Sequence, residues 1–328
     1  MLRKAARVIA PLVAGALLAT TGCNVGSEDT SSEDGEIGVL EAMTMGTGSV
    51  GGTYYPLGGA IAQMWNSEVE GLTVSTIATG ASVENLTLMN KGDLQLAMAV
   101  NGTATQAANG TDAFTDVGAL EFQMIGNIYP EVMQIVARAD SGIETVDDLE
   151  GKRVAIGPDG SGTQGLTQQI LDAAGVTPSQ TFADGFGDAA SKLRDGQVDA
   201  AFGILAVPDA SLSEVAQNAD VVMVSIPEEI RETLKTEDPT LSDKEIPGGT
   251  YQGIDNDAVT VTAWATLYCP AGLDEDQVYE LTRTMYENTD MIDNAVADQI
   301  SADTAIEGRV DIDLHPGAER YYEEQGLL

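Results

Sequence analysis

One order of segments occurs twice in this chain: strand, glycine loop, helix, strand, helix, turn glycine, strand. The first copy begins with the apolar strand Ala42–Met45 and the loop Gly46-Thr47-Gly48-Ser49-Val50-Gly51-Gly52-Thr53-Tyr54-Tyr55-Pro56. It continues through helix Pro56–Trp65, strand Leu72–Ile77, helix Gly80–Met89 and the turn at Gly92. The second copy runs from strand Arg153–Ile156 through Gly157-Pro158-Asp159-Gly160-Ser161-Gly162-Thr163 and helix Gln164–Ala174. A helix over 187–194 and the turn Asp195-Gly196 then lead to Val198-Asp199-Ala200-Ala201. Alternating strands and helices predict an α/β protein with largely parallel sheets. Two copies make two similar lobes rather than a repeat array. Ligands of open α/β sheets bind beyond the carboxyl ends of the strands, so both glycine loops are expected at one cleft between the lobes.

The segments joining the lobes are expected at Met133–Arg138 on the way out and Ala258–Leu267 on the way back. The reading assigns 40–136 with 262–328 to one lobe and 137–261 to the other. Leu273–Met285 is expected as a helix on the first lobe, because Val278, Leu281, Thr282 and Met285 share a face at helical spacing. Ile226–Gly253, rich in Pro, Gly and charge, reads as helix plus loop.

The first 22 residues read as an export signal: a basic start with Arg3, Lys4 and Arg7, then an apolar run over Val8–Ala19 too short to span a bilayer. Gly22-Cys23 resembles a lipoprotein cleavage site, with Cys23 the lipidated residue, although Thr20 stands where Leu is usual. The acidic, aromatic-free stretch that follows, to residue 39, is expected to be a tether. Cys269, the other cysteine, then has no disulfide partner and reads as a buried apolar residue. The formal charge is −37, with 52 acidic residues spread along the whole chain. Such a field disfavours nucleic acid and anionic membrane surfaces. It fits either a cationic ligand or, given the even spread, a surface adapted to high salt, where screening shortens repulsion.

Gly46–Gly51 satisfies G-x-G-x-x-G, but the second strand ends Ile77-Ala78-Thr79-Gly80 without the acid that would hold a ribose. There is no phosphate-binding G-x-x-x-x-G-K-[ST] loop. A single histidine, His315, with no cysteine cluster argues against a zinc site and against a Ser-His-Asp triad, so neither catalytic machinery nor a cofactor is expected. What remains is a set of uncharged hydrogen-bonding residues around the loops. The candidate ligand contacts are Thr47, Gly48, Ser49, Thr53, Tyr54, Ser82, Asn85, Asn101, Tyr129, Ser161 and Thr163. Ser82 and Thr163 read equally as helix caps. Tyr129 either closes over a ligand or packs in the hinge. Arg138 reads either as the counter-ion of a carboxylate or as an exposed partner of Asp140.

Taken together, these stretches resemble the TAXI family, the extracytoplasmic solute receptors of tripartite ATP-independent periplasmic (TRAP) transporters. The opening run Gly46–Pro56 carries most of the likeness. It is joined by Arg138–Ile143, Leu149–Gly157, Gly160–Thr163, Ile246–Tyr251 and His315–Tyr322, in the family's order. The resemblance implies a two-lobed, type II-like periplasmic-binding fold that captures a small carboxylate or an amino acid such as glutamate and delivers it to a membrane permease. It also implies that the Gly48–Tyr54 and Ser161–Thr163 loops hold the ligand from opposite lobes. The chain departs from the family in its acidity and at Asn101-Gly102. An importer of the ABC type and a sensor domain are further readings on this fold. A different class is an enzyme on a two-lobe scaffold, akin to the porphyrin-pathway deaminases, whose cofactor would need Cys269.

Overall fold

The computed structural model describes residues 37–309 and 311–328. The predicted leader, Cys23 and most of the tether lie outside the described residues. The last three residues assigned to the tether, Ile37–Val39, run beside the turn before the C-terminal helices instead: the Ile37 amide donates to the Gly272 carbonyl at 2.6 Å.

The two copies fold as equivalent units. The first contains β1 (Ala42–Gly46), α1 (Tyr54–Glu68), β2 (Thr73–Ile77), α2 (Ser82–Asn90), β3 (Leu96–Val100) and α3 (Asn101–Asn109). A long strand, β4 (Gln123–Arg138), leads to the second. That unit contains β5 (Arg153–Ala155), α4 (Gly162–Ala174), β6 (Gln180–Phe182), α5 (Phe186–Arg194), β7 (Ala200–Leu205) and α6 (Ala210–Asn218). After β8 (Val221–Met223), α7 (Glu228–Glu237) and β9 (Ser242–Ile246), the chain returns through β10 (Ala258–Cys269). It ends with α8 (Glu275–Glu287) and α9 (Pro316–Gln325).

The strands form one path, β2-β1-β3-β10-β4-β7-β5-β6, with β8 on β4 and β9 on β10. Read outward from its centre, each half has the same order: the crossing strand, then the last, first and second strand of its unit. The sheet is mixed rather than largely parallel. Within each unit the pairs are parallel, but β4 and β10 pair antiparallel with each other and with β7 and β3. The reason lies in the connections. Helical crossovers return a strand parallel, whereas the two crossing strands arrive from the opposite lobe running the other way.

The crossings are longer than the sequence suggests. β4 runs unbroken through Pro130, which sits opposite Trp264, and the ladder to β7 begins only at Val132, so the missing proline N–H leaves that ladder intact. A register shift in the β10 pairing falls between Ala265 and Thr266, beside this point.

Strands covered on both faces are apolar throughout, as in Leu96-Ala97-Met98-Ala99-Val100 of β3. One core gathers under the first unit around Met45, Leu57, Trp65, Phe114, Tyr268 and Tyr322. In the second unit, Phe202 and Ile204 enter one core while Ala201 and Leu205 enter another, so alternate residues of β7 supply opposite faces. The α8 helix packs on the first unit through Val278, Leu281, Thr282 and Met285, and its Leu281 carbonyl accepts from the Trp65 indole N–H at 3.0 Å. The stretch after Ile226 contains a strand as well as a helix: β9, Ser242-Asp243-Lys244-Glu245-Ile246, pairs with β10 along an exposed edge.

Candidate functional site

Both glycine loops reach one cavity of about 50 Å³ between the two units. From the first unit come Gly48, Ser49, Gly52, Thr53 and Tyr54, with Gly80, Ala81, Ser82 and Val100. The second unit contributes Gly157, Pro158, Ser161, Gly162 and Thr163, with Phe186 and Phe202–Leu205. The crossing strand β4 contributes Glu131.

The local folding follows from residue type. The Gly157 backbone has φ +90°, and a Cβ there would meet the Thr163 side chain, so the loop can turn tightly onto the start of α4 only with glycine. Ser161 then caps α4, its hydroxyl accepting from the Gln164 amide at 3.0 Å. The next two amides, of Gly162 and Thr163, have no acceptor among the described residues, nor has the Ser82 amide at the start of α2. First-turn amides carry the positive end of the helix dipole, so the cavity is walled by donors suited to a carboxylate.

The units touch around the rim. The amides of Val83 and Glu84 both point at the Gly160 carbonyl, at 3.1 and 3.3 Å. Gly51 lies against Gly187, and Gly80 against the Asp159 carbonyl, with no room for a Cβ at either. Ser211 donates to the Gly51 carbonyl at 2.8 Å. Thr53 donates to Asp209 at 3.0 Å and accepts from the Ala206 amide at 3.1 Å. These contacts hold the two units together around the cavity. Small-molecule sites large enough for drug-sized ligands run to roughly 300–1,000 Å³, and this cavity lies well below that range.

Glu131 gives the site its electrostatic character. It is buried, and its carboxylate accepts from the Tyr54 hydroxyl at 2.6 Å and the Tyr129 hydroxyl at 3.2 Å. Among the described residues no Lys, Arg or His lines the cavity. Burial pushes the Glu131 carboxyl up to about 8, against the opposing pull of the two phenol hydrogen bonds. Both phenols are themselves held well above their ordinary value, first by burial and next by the neighbouring Glu131. Asp209 is also raised by burial, but it is better satisfied: it caps α6 by accepting from the Ser211 and Leu212 amides.

Of the eleven residues singled out from sequence, Gly48, Ser49, Thr53, Tyr54, Ser82, Ser161 and Thr163 line the cavity. The other four stand behind it. Thr47 donates to the Ile77 carbonyl at 2.7 Å. Asn85 donates to the carbonyls of Thr47 and Met98 at 2.7 and 2.8 Å, bracing the loop against β3. Asn101 accepts from the Trp264 amide at 3.1 Å. Tyr129 lies beneath Tyr54, edge to face at 6.3 Å between ring centroids, and reaches Glu131 from below. Three of these four are fixed by main-chain partners, which explains their polarity without a ligand. Arg138 forms a surface pair with Asp140 at 2.6 Å and lies outside the cavity. His315 is buried as the cap of α9, accepting from the Gly317 amide at 3.2 Å. Cys269 is buried at the end of β10 and away from the cavity.

Glu131 and the apolar wall of Phe186, Phe202, Ile204 and Leu205 were missed from sequence. Glu131 had a signal: it is the only charged residue between Gln123 and Ala137, and a lone acid in an otherwise buried strand asks for a reason.

Solved structures with this fold include a Bordetella bronchiseptica RB50 protein at 15% identity and TM-score 0.52, covering 88% of this chain and 98% of that one. A Listeria monocytogenes protein assigned to an L-cystine ABC transporter matches at 12% identity and TM-score 0.50, covering 81% of this chain and 98% of that one. The periplasmic aliphatic sulphonate binding protein SsuA of Escherichia coli matches at 21% identity and TM-score 0.37. The chain spans only 56% of SsuA and 62% of its Xanthomonas axonopodis counterpart. The fold is that of two-lobed, type II-like periplasmic solute-binding proteins. A family model described as the NMT1-like family matches residues 45–326, and the chain belongs to that family.

Proposed function

We propose that this chain is an extracytoplasmic solute receptor that closes its two lobes on a small carboxylate or amino acid and hands it to a TRAP permease, as the TAXI resemblance implies. The observation that carries the reading is the cavity itself. Two glycine loops from separate units, each opening a helix, face each other across it, and the crossing strand β4 lines it through Glu131. In this reading 40–136 with 262–328 form one jaw and 137–261 the other, with the hinge where β4 and β10 pass between them. The amides of Ser82, Gly162 and Thr163 receive the solute carboxylate, and Ser49, Thr53 and Tyr54 complete the first jaw. Closure is a population shift: the solute favours the shut state because only there do both jaws touch it.

The export signal and lipidated Cys23 belong to the same proposal, placing the receptor tethered at the outer face of the cell membrane. Among the described residues no helix is long and apolar enough to cross a membrane.

Purified protein lacking the leader should gain thermal stability with at least one solute of a panel of amino acids and small carboxylates. Absence of any shift across the panel would sink the reading. Uptake reconstituted with a TRAP permease should persist without ATP; uptake that requires ATP would assign the receptor to an ABC importer instead.

A further inference from the structure

The cavity combines two features that pull in opposite directions. Its rim presents helix-start amides, which suit an anion. Its floor presents the carboxyl group of Glu131, buried, with two phenol donors and, among the described residues, no cation. A carboxyl buried without a counter-ion holds its proton rather than carry an unpaired charge, and an arriving cation supplies the partner that its ionised form lacks. Asp209 shows what a self-sufficient buried acid looks like in this fold: two main-chain amides and a threonine hydroxyl already satisfy it. Among the described residues no backbone amide donates to Glu131.

We propose that Glu131 recognises a cationic atom of the solute, so that the captured molecule is a small zwitterion, an α-amino acid, rather than a simple carboxylate. This rests on the solute-receptor reading above and narrows it. The ammonium sits against Glu131 while the carboxylate meets the helix starts of α2 and α4. The distinction between an amino acid and its keto acid is then made by one side chain on the crossing strand.

The recognition is coupled to a proton. The groups facing Glu131 are Tyr54 from α1 and Tyr129 on its own strand, both held protonated. Asp209 at the start of α6 acts on Tyr129, and Tyr268 of β10 acts on Tyr54. None of these supplies positive charge, so in the empty cleft Glu131 keeps its proton up to about pH 8. An arriving ammonium favours the ionised form, and the carboxyl proton leaves to solvent as the jaws close. Affinity therefore rises by about tenfold per pH unit up to about pH 8 and then levels off.

The test is isothermal titration of the folded chain with matched sets: L-alanine, pyruvate and ethylamine; L-glutamate, 2-oxoglutarate and 4-aminobutyrate; L-leucine and its keto acid and amine. Titrations run in buffers of differing ionisation enthalpy, on wild type and on Glu131→Gln. The expected result is binding of an amino acid, no binding of its keto acid, release of nearly one proton at pH 7, and a loss of roughly thirtyfold or more in Glu131→Gln. Thermal unfolding at pH 6 confirms that the variant is folded. A keto acid that binds as tightly as its amino acid, with affinity falling as pH rises, would show Glu131 acting as a neutral donor; that overturns the inference and leaves the receptor reading standing. An amine binding as well as the amino acid removes the zwitterion. No binding from any set, in either protein, overturns the receptor reading and the inference with it.

Discussion

A single buried glutamate carries a stability consequence that is separate from ligand binding. The folded carboxyl of Glu131 holds its proton up to about pH 8, while the ordinary value is 4.5. Between those values the folded state binds more protons than the unfolded state, so stability falls as pH rises and the penalty is complete above about pH 8. Glu131→Gln should flatten this dependence and, without ligand, unfold later than wild type at pH 8 by an amount on the order of a few kcal/mol. Chemical denaturation at pH 5 and pH 8 measures it; an unchanged pH slope would mean that Glu131 is solvated. Asn85 makes the contrasting case. Asn85→Ala leaves two loop and strand carbonyls without donors and should cost about 1–3 kcal/mol in the empty protein. A variant as stable as wild type would return Asn85 to the list of ligand contacts. The sequence exposes the polarity of Asn85, Thr47 and Asn101 but not their direction, because a cap, a brace and a ligand contact use the same atoms. It shows Glu131 too, yet an acid among 52 acids attracts no notice until the strand around it proves buried.

At the level of elements, the glycine loops were readable because backbone geometry allows so few residues to make them. Gly80 illustrates why the spacing matters. Its Cα lies against the Asp159 carbonyl of the other jaw, and its backbone is not in the left-handed region. Gly80→Ala should therefore fold normally but resist closure, weakening solute affinity by about tenfold or more while leaving the unfolding midpoint of the empty protein nearly unchanged. Affinity equal to wild type would show that the rim does not close in the bound state. Strand β9 escaped detection because it lies on an edge and three of its five residues are charged, as edge strands commonly are. The expected crossing begins only at Met133; the strand itself runs from Gln123 through Pro130, because the ladder to β7 needs no N–H before Val132. Parallel geometry within each unit followed from the alternation of strand and helix. The antiparallel centre did not, because it depends on the direction in which the chain returns between lobes.

Across the whole molecule, the formal charge of −37 is a repulsive load that the fold carries at low ionic strength. The screening length shrinks from about 10 Å at 0.1 M salt to about 3 Å at 1 M. The thermal midpoint should accordingly rise across that range in sodium chloride, where non-specific ion binding is weak. A midpoint that falls would indicate that the few surface ion pairs, such as Arg153–Asp199, outweigh the repulsion. Two lobes meeting at a cleft were legible in the repeated segment order, and the structure brings both loops to one cavity. A second, larger groove of about 580 Å³ lies between α3 and α4, lined by Gln106, Gln164, Gln168 and Asp238 and bordering the cleft at Ser161 and Gly162. It offers a direct alternative to the cleft. A crystal structure of the chain with its bound solute decides between them. The account predicts the solute within hydrogen-bonding distance of the Gly162 and Thr163 amides, with its ammonium on Glu131; a solute seated in the groove between α3 and α4, with the cleft empty, would contradict it.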